Sequence, residues 1–236
     1  MTAPKRPFVI AIDGPAAAGK SSTAQWVARR LGYRHVDSGS LYRAATAARL
    51  AHPGDPAEWS EDDVLTAARG VELVPLGESF AAIIEGSPAD ERLRDTQVTL
   101  HVSRVAQMPR VRQWVNELVR RAAAGHDVVV DGRDMGTAVF PHANLKIFLI
   151  ADPWERARRR LVQRLTRGPT DEEIAAETNK IAHRDALDAM QSARAPDAVL
   201  IDTTYLTQEE QVERIVALAH AAVTRMPTPS SPSPGV

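Results

Sequence analysis

The sequence contains no cysteine and no long hydrophobic run. Disulfide bonds, thiolate catalysis and cysteine-ligated zinc are therefore excluded, and the composition suits a reducing compartment. No apolar stretch approaches the roughly 20 residues of a membrane span, and the first seven residues lack the basic-then-apolar order of a signal peptide. The seven histidines form no close cluster, so no zinc site is expected. We expect a soluble cytoplasmic protein.

The chain also lacks an excess of charge of either sign. Its 29 Lys and Arg residues against 30 Asp and Glu residues give a net charge of −1, which counts against a protein that coats nucleic acid. With 236 residues, 44% of them hydrophobic, the chain can bury a substantial core. Composition therefore indicates one or two globular domains.

Strand-like and helix-like segments alternate along most of the chain. Short apolar runs typical of buried strands occupy residues 8–12, 33–36, 127–130, 145–150 and 198–201. Helical patterns lie between most of these runs, and the alternation predicts a parallel sheet covered by helices on both faces.

Residues 60–100 interrupt this alternation. Residues 71–76 and 80–85 alternate apolar and polar side chains on either side of Gly77-Glu78, which predicts an antiparallel hairpin. Residues 86–96 are polar and are expected to be irregular. We interpret 60–100 as an insertion into the α/β chain.

The sharpest motif is a glycine-rich loop between the first predicted strand and the first predicted helix. It reads GPAAAGKS and fits the phosphate-binding pattern GxxxxGK[ST], which arises by chance about 0.01 times in a chain of this length. Its glycines let backbone N–H groups surround phosphate oxygens, and the helix N-terminus adds a favourable dipole. We predict nucleoside triphosphate binding by Gly14, Pro15, Ala16, Ala17, Ala18, Gly19, Lys20, Ser21 and Ser22.

Two further loops place charged side chains directly after predicted strands. Asp37 and Arg43 follow one strand, and Asp131 and Arg133 follow another. Ligands bind at the carboxyl edge of open α/β sheets, so both loops should face the glycine-rich loop. Either aspartate is a candidate for holding Mg²⁺ or its waters, and either could instead cap a helix or stabilise a loop. A second anion site favours a small kinase.

A GTPase is disfavoured. The guanine-reading pattern NKxD is approached only by residues 179–182, which read NKIA and lie in a predicted helix.

Seven segments resemble bacterial cytidylate kinases. They run in order from about residue 8 to 220 and read IDGPAAAGKSS, VDSGSLYR, SRVAQMPRVR, DGRDMGTAVFP, KIFLIADPWERARRR, HRDALD and DAVLIDTT. The resemblance implies a P-loop nucleoside monophosphate kinase that transfers the γ-phosphoryl group of ATP to CMP or dCMP with Mg²⁺. It also implies a monomer with small-molecule substrates and no nucleic-acid or membrane partner.

The resemblance implies a division of the chain as well. It comprises a kinase core of residues 8–59 and 101–225, a helical lid at about 153–193 and an inserted nucleoside monophosphate-binding subdomain at 60–100. The last segment, 226–236, is rich in Pro and Ser and is expected to be disordered.

Individual roles follow from the same resemblance. Lys20, Arg133 and Arg184 are expected to be catalytic, and Ser21 and Asp37 to hold the metal. The residues expected to bind the acceptor are Ser38, Gly39, Arg43, Ser103, Arg112, Arg133, Asp134, Arg184, Asp188 and Arg194. Of these, Ser103, Arg112 and Asp134 are expected to face cytosine, and Asp188 the ribose hydroxyls.

The chain departs from the family pattern at one position. Gln191 stands where an arginine is expected, and Arg194 is the candidate replacement, although three residues correspond to about one helical turn. On the donor side, six of the twelve residues 156–167 are arginine. They form either a solvated helix face or a lid helix, and Arg158 and Arg159 are the ones expected to reach ATP.

The expected chemistry needs no strong general base. A phosphate monoester has a second pKa near 6, so the acceptor oxygen is mostly ionised at pH 7. Catalysis must then consist of aligning two anions and neutralising their charge, which suits arginine better than histidine.

Base selection has a physical basis. A carboxylate such as Asp134 can accept from the cytosine amino group, and Arg112 can donate to N3 and O2, whereas uracil reverses two of these groups. We therefore expect CMP and dCMP to be preferred over UMP. The alternatives are another P-loop small-molecule kinase and an ATP-binding regulatory module without transfer activity.

Overall fold

The backbone is organised around one eight-stranded sheet. The computed structural model describes residues 7–225. Its strands are β1 (Val9–Asp13), β2 (Arg34–Asp37), β3 (Val71–Leu76), β4 (Ser79–Ile84), β5 (Ser87–Pro88), β6 (Val128–Asp131), β7 (Leu145–Ile150) and β8 (Val199–Asp202). Its α-helices are α1 (Lys20–Leu31), α2 (Ser38–Leu50), α3 (Glu61–Ala67), α4 (Asp90–Leu93), α5 (Thr96–Val105), α6 (Pro109–Ala123), α7 (Pro153–Arg164), α8 (Asp171–Asp188) and α9 (Gln208–Thr224).

The predicted parallel sheet is confirmed. The strand order is β3-β4-β2-β6-β1-β7-β8, with β5 paired to β4. Strands β2, β6, β1, β7 and β8 are parallel to their neighbours. In this register Asp37 of β2 lies beside Asp131 of β6, while Ile12 of β1 pairs with Asp131 on the other side. The carboxyl ends of the three strands therefore meet at one edge.

Helices cover both faces of the sheet. Along β6, Val128 and Val130 pack in a core cluster with residues of α2, α5 and α6, whereas Val129 packs in a second cluster with residues of α1 and α9. Successive side chains of a strand point to opposite faces, so a strand that is apolar throughout needs an apolar layer on each side.

Helix boundaries follow recognisable local signals. Capping boxes begin three of the helices, with the pairs Ser60/Asp63 at α3, Thr170/Glu173 at α8 and Thr207/Glu210 at α9. Helix α1 ends at Gly32, which has φ +68° and closes the last turn through backbone hydrogen bonds.

The hairpin is present, but its surroundings differ from the expectation. Strands β3 and β4 pair antiparallel, and β4 also pairs in parallel with β2 through His35 and Ser79. The hairpin therefore extends the main sheet.

The segment expected to be irregular contains β5 and α4, and the unpredicted helix α5 follows it. Helix α5 buries Val98, Val102 and Val105, a stripe at helical spacing that crosses the expected end of the insertion.

Helix α8 ends at Asp188, and the short 3₁₀ turn Ala189–Gln191 follows it, so helical structure in the segment expected to form the lid, about 153–193, ends at Gln191. The tail at 226–236 lies outside the described residues. Within residues 7–225, no helix combines the length and apolar character that a membrane crossing requires.

Removing a core side chain from the α2 layer should destabilise the fold. Leu41 is fully buried against the sheet, and we expect Leu41→Ala to lower the free energy of unfolding by about 2–5 kcal/mol, because the cavity does not close. Urea unfolding followed by circular dichroism measures this. The matched control is Leu100→Ala on α5, where the side chain is largely exposed and the expected change is within about 0.5 kcal/mol. Equal effects of the two variants would contradict this assignment of the core.

Candidate active site

A cleft of about 640 Å³ opens at the edge where β1, β2 and β6 end. It is lined by most of the residues predicted from sequence, namely Ala16, Ala17, Gly19, Lys20, Ser21, Ser22, Asp37, Ser38, Gly39, Arg43, Ser103, Arg112, Asp131, Arg133, Asp134, Arg159, Arg184 and Asp188. Segments more than 150 residues apart in sequence thus contribute to one concave surface.

The glycine-rich loop connects β1 to α1 and needs glycine at its first position. Gly14 has φ +149°, and a Cβ there would lie 2.2 Å from the carbonyl oxygen of Leu149. Gly19 has φ +85° and directly precedes α1, whose N-terminus faces the cleft. The predicted residues Gly14, Pro15 and Ala18 shape the loop without lining the cleft, and Ala18 is fully buried.

Lys20 is held inside the loop that it serves. Its Nζ donates to the carbonyl oxygen of Pro15 at 2.8 Å, and the residue is buried. Burial, with the nearby charges of Arg133 and Arg184, lowers the pKa of the ammonium group to about 7, although Asp131 and Asp13 oppose this shift. A phosphate group in the cleft would favour the charged form.

Asp131 links the end of β6 to the glycine-rich loop. Its Oδ2 accepts from Ser21 Oγ at 2.5 Å, and its Oδ1 lies 2.7 Å from Nε2 of the buried His35. Asp37 instead caps α2, accepting from the backbone N–H of Gly39 at 2.8 Å. Burial, and then the charge of Asp131, raise the pKa of Asp37 to about 6. The structure therefore places Asp131, rather than Asp37, in contact with Ser21.

The DGRDMGT segment is fixed by a carboxylate at the end of β1. Asp13 accepts from the backbone N–H groups of Met135 and Gly136 at 2.8 and 2.7 Å, where the chain forms a π-helical turn. With the turn held in this way, Arg133 and Asp134 project into the cleft. Arg133 Nε donates to Asp188 Oδ2 at 3.1 Å.

Several guanidinium groups lie near one another in the cleft. Burial lowers the pKa of Arg184 to about 10, and the charges of Arg133, Arg43 and Arg160 contribute in the same direction. Burial also lowers the pKa of Arg43, with further lowering by Arg160 and Arg133. Guanidinium groups that repel one another in a partly dry cleft are stabilised by an anion between them.

The opposite end of the cleft presents paired donors and acceptors. Arg112 donates to Asp134 Oδ2 and, at 3.0 Å, to the carbonyl oxygen of Ala106. Its guanidinium lies 6.0 Å from the ring centroid of Tyr42. The Tyr42 hydroxyl is buried and has no hydrogen-bond partner among the described residues. This end is suited to a planar polar group.

Two predicted arginines are not brought to the cleft. The side chain of Arg158 is half exposed, pairs with Glu155 at 2.7 Å and does not line the cleft. Arg194 is exposed beyond the end of α8 and does not line the cleft, whereas Gln191 does.

Other residues that line the cleft were not predicted from the sequence. These are Tyr42, Val102, Ala106, Gly132, Arg160, Gln163, Leu206, Gln208 and Gln211. Arg160 belongs to the arginine-rich run and Tyr42 directly precedes Arg43, so both had a weak sequence signal. The two α9 glutamines had none.

The fold and the cleft together define the class of protein. A strand–GxxxxGKS–helix unit faces a group of arginines that come from α2, the β6 loop and α8. A site with two facing phosphate-binding halves is characteristic of a P-loop kinase, an ATP-dependent phosphotransferase.

Comparison with known proteins identifies the family. The family model described as cytidylate kinase matches residues 10–221. The cytidylate kinase of Geobacillus kaustophilus is 44% identical over 93% of this chain and 99% of its own length. That of Chlorobaculum tepidum is 37% identical over 93% of this chain and 95% of its own. The chain belongs to the cytidylate kinase family.

A solved structure has a similar fold. It is an uncharacterized protein from Eubacterium ventriosum with a TM-score of 0.51 and 10% identity, over 91% of this chain and 99% of that one. At this identity the likeness shows the fold alone.

Ionisation of Asp13 should make stability depend on pH. Burial, partly offset by the two backbone hydrogen bonds, raises the pKa of Asp13 from 3.8 to about 6. Its stabilising contribution is therefore complete below pH 3.8 and is lost as pH rises through about 6. Relative to Asp13→Asn, the native protein should lose on the order of 2 kcal/mol between about pH 4.5 and about pH 7.

Urea unfolding across this pH range measures the difference. Asp13→Asn also loses one of the two hydrogen bonds to the backbone. This loss lowers the free energy of unfolding of the variant by a similar amount at every pH, so the difference in pH dependence between the two proteins is unaffected. Parallel pH curves for the two proteins would show that the carboxyl group is not perturbed.

Proposed function

We propose that this protein is an ATP-dependent kinase that transfers the γ-phosphoryl group of ATP to CMP or dCMP and releases CDP or dCDP. One observation carries the proposal: the glycine-rich loop and a cluster of mutually repelling guanidinium groups face each other across one cleft. Family membership, with relatives named cytidylate kinase, supports the choice of acceptor.

The donor half is the glycine-rich loop with Lys20. Its backbone N–H groups and the N-terminus of α1 suit the β- and γ-phosphates of ATP, and Lys20 adds a point charge. Arg159 of α7 lines the same cleft and donates to the carbonyl oxygens of Thr203 and Thr204 at 2.6 and 2.9 Å. This contact ties α7 to the loop that follows β8.

The residues at the loop also fit a magnesium ion. Ser21 and Asp131 offer hard oxygen atoms side by side, with Asp37 adjacent, and Mg²⁺ is usually held by one or two such groups together with phosphates and water. Within residues 7–225 no group of three or more His, Cys, Asp or Glu residues could hold a metal. When bound, Mg²⁺ neutralises charge on the transferring phosphates.

The acceptor half neutralises and aligns the second phosphate. Arg43, Arg133 and Arg184 are placed to contact it, and Ser38, whose Oγ donates to the Asp131 carbonyl at 2.7 Å, supports the turn behind them. The acceptor oxygen is already ionised near pH 7, so these groups need only hold it in line with the donor. Asp188 holds Arg133 and lies where it could meet the ribose hydroxyls.

Base selection is assigned to Arg112, Asp134 and Ser103. The first two present a donor and an acceptor beside each other at the Tyr42 end of the cleft, and Ser103 lines the same wall. Cytosine matches that order of groups, whereas uracil would leave polar atoms unpaired.

We also infer that α7–α8 acts as the lid and that residues 60–100 belong to the acceptor side. A monomeric state and a cytoplasmic location stay predictions.

A panel of nucleoside monophosphates tests the function. With ATP and Mg²⁺ in a coupled assay of ADP release, CMP and dCMP should support turnover, and kcat/KM for UMP should be lower by about 100-fold or more. Comparable values for UMP would contradict the assigned base contacts. ADP release with some other acceptor alone would indicate a different small-molecule kinase, and ATP binding without any turnover would indicate a regulatory module.

Arg112→Ala should separate acceptor recognition from donor binding. The change removes the donor expected to face cytosine and leaves Asp134 without its partner, so kcat/KM for CMP should fall by about 100-fold. The dissociation constant for ATP, measured by calorimetry, should not change. Arg121→Ala is the matched control, because Arg121 lies exposed on the same helix. Equal losses of ATP and CMP affinity would refute the assignment.

A further inference from the structure

Two side chains with no assigned role hold the glycine-rich loop at Ala16. Asp185 of α8 accepts from the backbone N–H of Ala16 at 2.9 Å, and Arg156 of α7 donates to its carbonyl oxygen at 2.9 Å. The two side chains also pair with each other, with Arg156 Nη1 2.5 Å from Asp185 Oδ2. Both backbone polar groups of one loop residue are thus bound by two helices that begin more than 130 residues later.

The next residue strengthens this attachment. Ala17 has φ +58°, a left-handed conformation that is uncommon for a residue with a Cβ. Its side chain packs against the small apolar cluster between α7 and α8, formed by Ala157, Leu161, Ile174 and Ile181. A residue of the phosphate-binding loop is therefore part of the core that joins these two helices.

The pair is distinct from the groups that face the cleft. Neither Arg156 nor Asp185 lines the cleft, and Arg156 is only 5% exposed. Its Nε is buried without a hydrogen-bond partner among the described residues. A buried guanidinium with an unused donor is a costly way to gain stability, since an apolar pair of similar size often serves as well. The position that Arg156 imposes on Ala16 explains this buried guanidinium more directly than a gain in stability does.

Residues close in sequence to Asp185 and Arg156 show what the position of Ala16 relative to α7 and α8 controls. Arg184 and Asp188 adjoin Asp185 on α8, and Arg159 and Arg160 follow Arg156 on α7; all four line the cleft. A displacement of α7–α8 relative to Ala16 would move these side chains relative to the phosphates held by the loop.

We propose that Asp185 and Arg156 are positioning residues that keep the phosphate-binding loop in register with the cleft-lining side chains of α7 and α8. They act through the backbone of Ala16 and do not touch the substrates. The kinetic consequence rests on the proposed function. In-line transfer requires close alignment of two bound phosphates, so loss of register should lower turnover in the ternary complex more than binding.

Three variants test the inference. Asp185→Ala removes the hydrogen bond from the Ala16 N–H and the ion pair with Arg156. Asp185→Asn keeps an oxygen that can accept from the Ala16 N–H. We expect kcat for CMP to fall by about tenfold or more in Asp185→Ala, with an intermediate value for Asp185→Asn and little change in either KM. Glu172→Gln is the matched control, because it neutralises an exposed carboxylate on the same helix. It should retain the native kcat.

The kinetics must be separated from a loss of folded protein. Turnover is therefore expressed per ATP-binding site, counted by calorimetry, because partial unfolding lowers the number of sites and leaves kcat per site unchanged. A kcat per site within twofold of the native value in both Asp185 variants would overturn the proposal, as would a loss confined to KM.

Hydrogen exchange gives a second readout that needs no turnover. In the native protein without nucleotide, the Ala16 amide should be protected, and Asp185→Ala should remove this protection. The amide of Thr23, which donates to the Gly19 carbonyl oxygen, should be unaffected.

Exchange of the native Ala16 amide at the rate of an open loop would overturn the inference, even if Asp185→Ala does not fold. Failure of the native protein to phosphorylate CMP would instead refute the proposed function, and the exchange result would still decide whether this attachment exists.

Discussion

Repulsion among positive charges that share one cleft is the constraint on which the site depends. Lys20, Arg43, Arg133 and Arg184 each reach the same cleft from a different part of the chain. Burial, together with the charges of Arg133 and Arg184, lowers the pKa of Lys20, and the charge of Arg133 also contributes to lowering the pKa values of Arg43 and Arg184. Such an arrangement is unfavourable when empty and favourable when phosphates lie between the cations. Favourable interactions elsewhere in the fold must therefore offset this repulsion, so that the four side chains stay close together before the nucleotides bind.

Carboxylates supply much of that restraint. Asp13 fixes the turn that carries Arg133, Asp131 joins Ser21 to His35, and Asp188 holds the Arg133 side chain. Asp185 likewise holds the glycine-rich loop by accepting a hydrogen bond from the backbone N–H of Ala16. Each of these aspartates orients a phosphate-binding element, and most do so at the edge where the parallel strands end. The cleft thus combines cationic side chains on its lining with aspartates that hold the surrounding backbone and side chains in place.

Local patterns predicted the features that depend on local physics. The strands, the glycine-rich loop and most helices were anticipated because apolar runs, glycine positions and capping residues act over a few neighbours. Helix α5 was missed because its valine stripe crosses the expected boundary of the insertion, and the hairpin joins the main sheet through a single residue pair that no pattern reveals. Arg158 and Arg194 do not line the cleft: composition does not tell which side of α7 Arg158 lies on, and the motif did not reveal that α8 ends before Arg194.

The sequence by itself determined the fold class, the phosphate-binding loop, the family and the kinds of side chain available for two phosphates, since each of these is written in short contiguous motifs. Only the tertiary structure decided which arginines reach the cleft, that Asp131 and not Asp37 contacts Ser21, and that Arg156 and Asp185 bind the loop at Ala16. These outcomes depend on strand register, on the rotation of helices about their axes and on contacts between residues more than 100 positions apart. Strand register, helix rotation and long-range contacts depend on how the whole chain packs, so they cannot be predicted from a short segment of sequence.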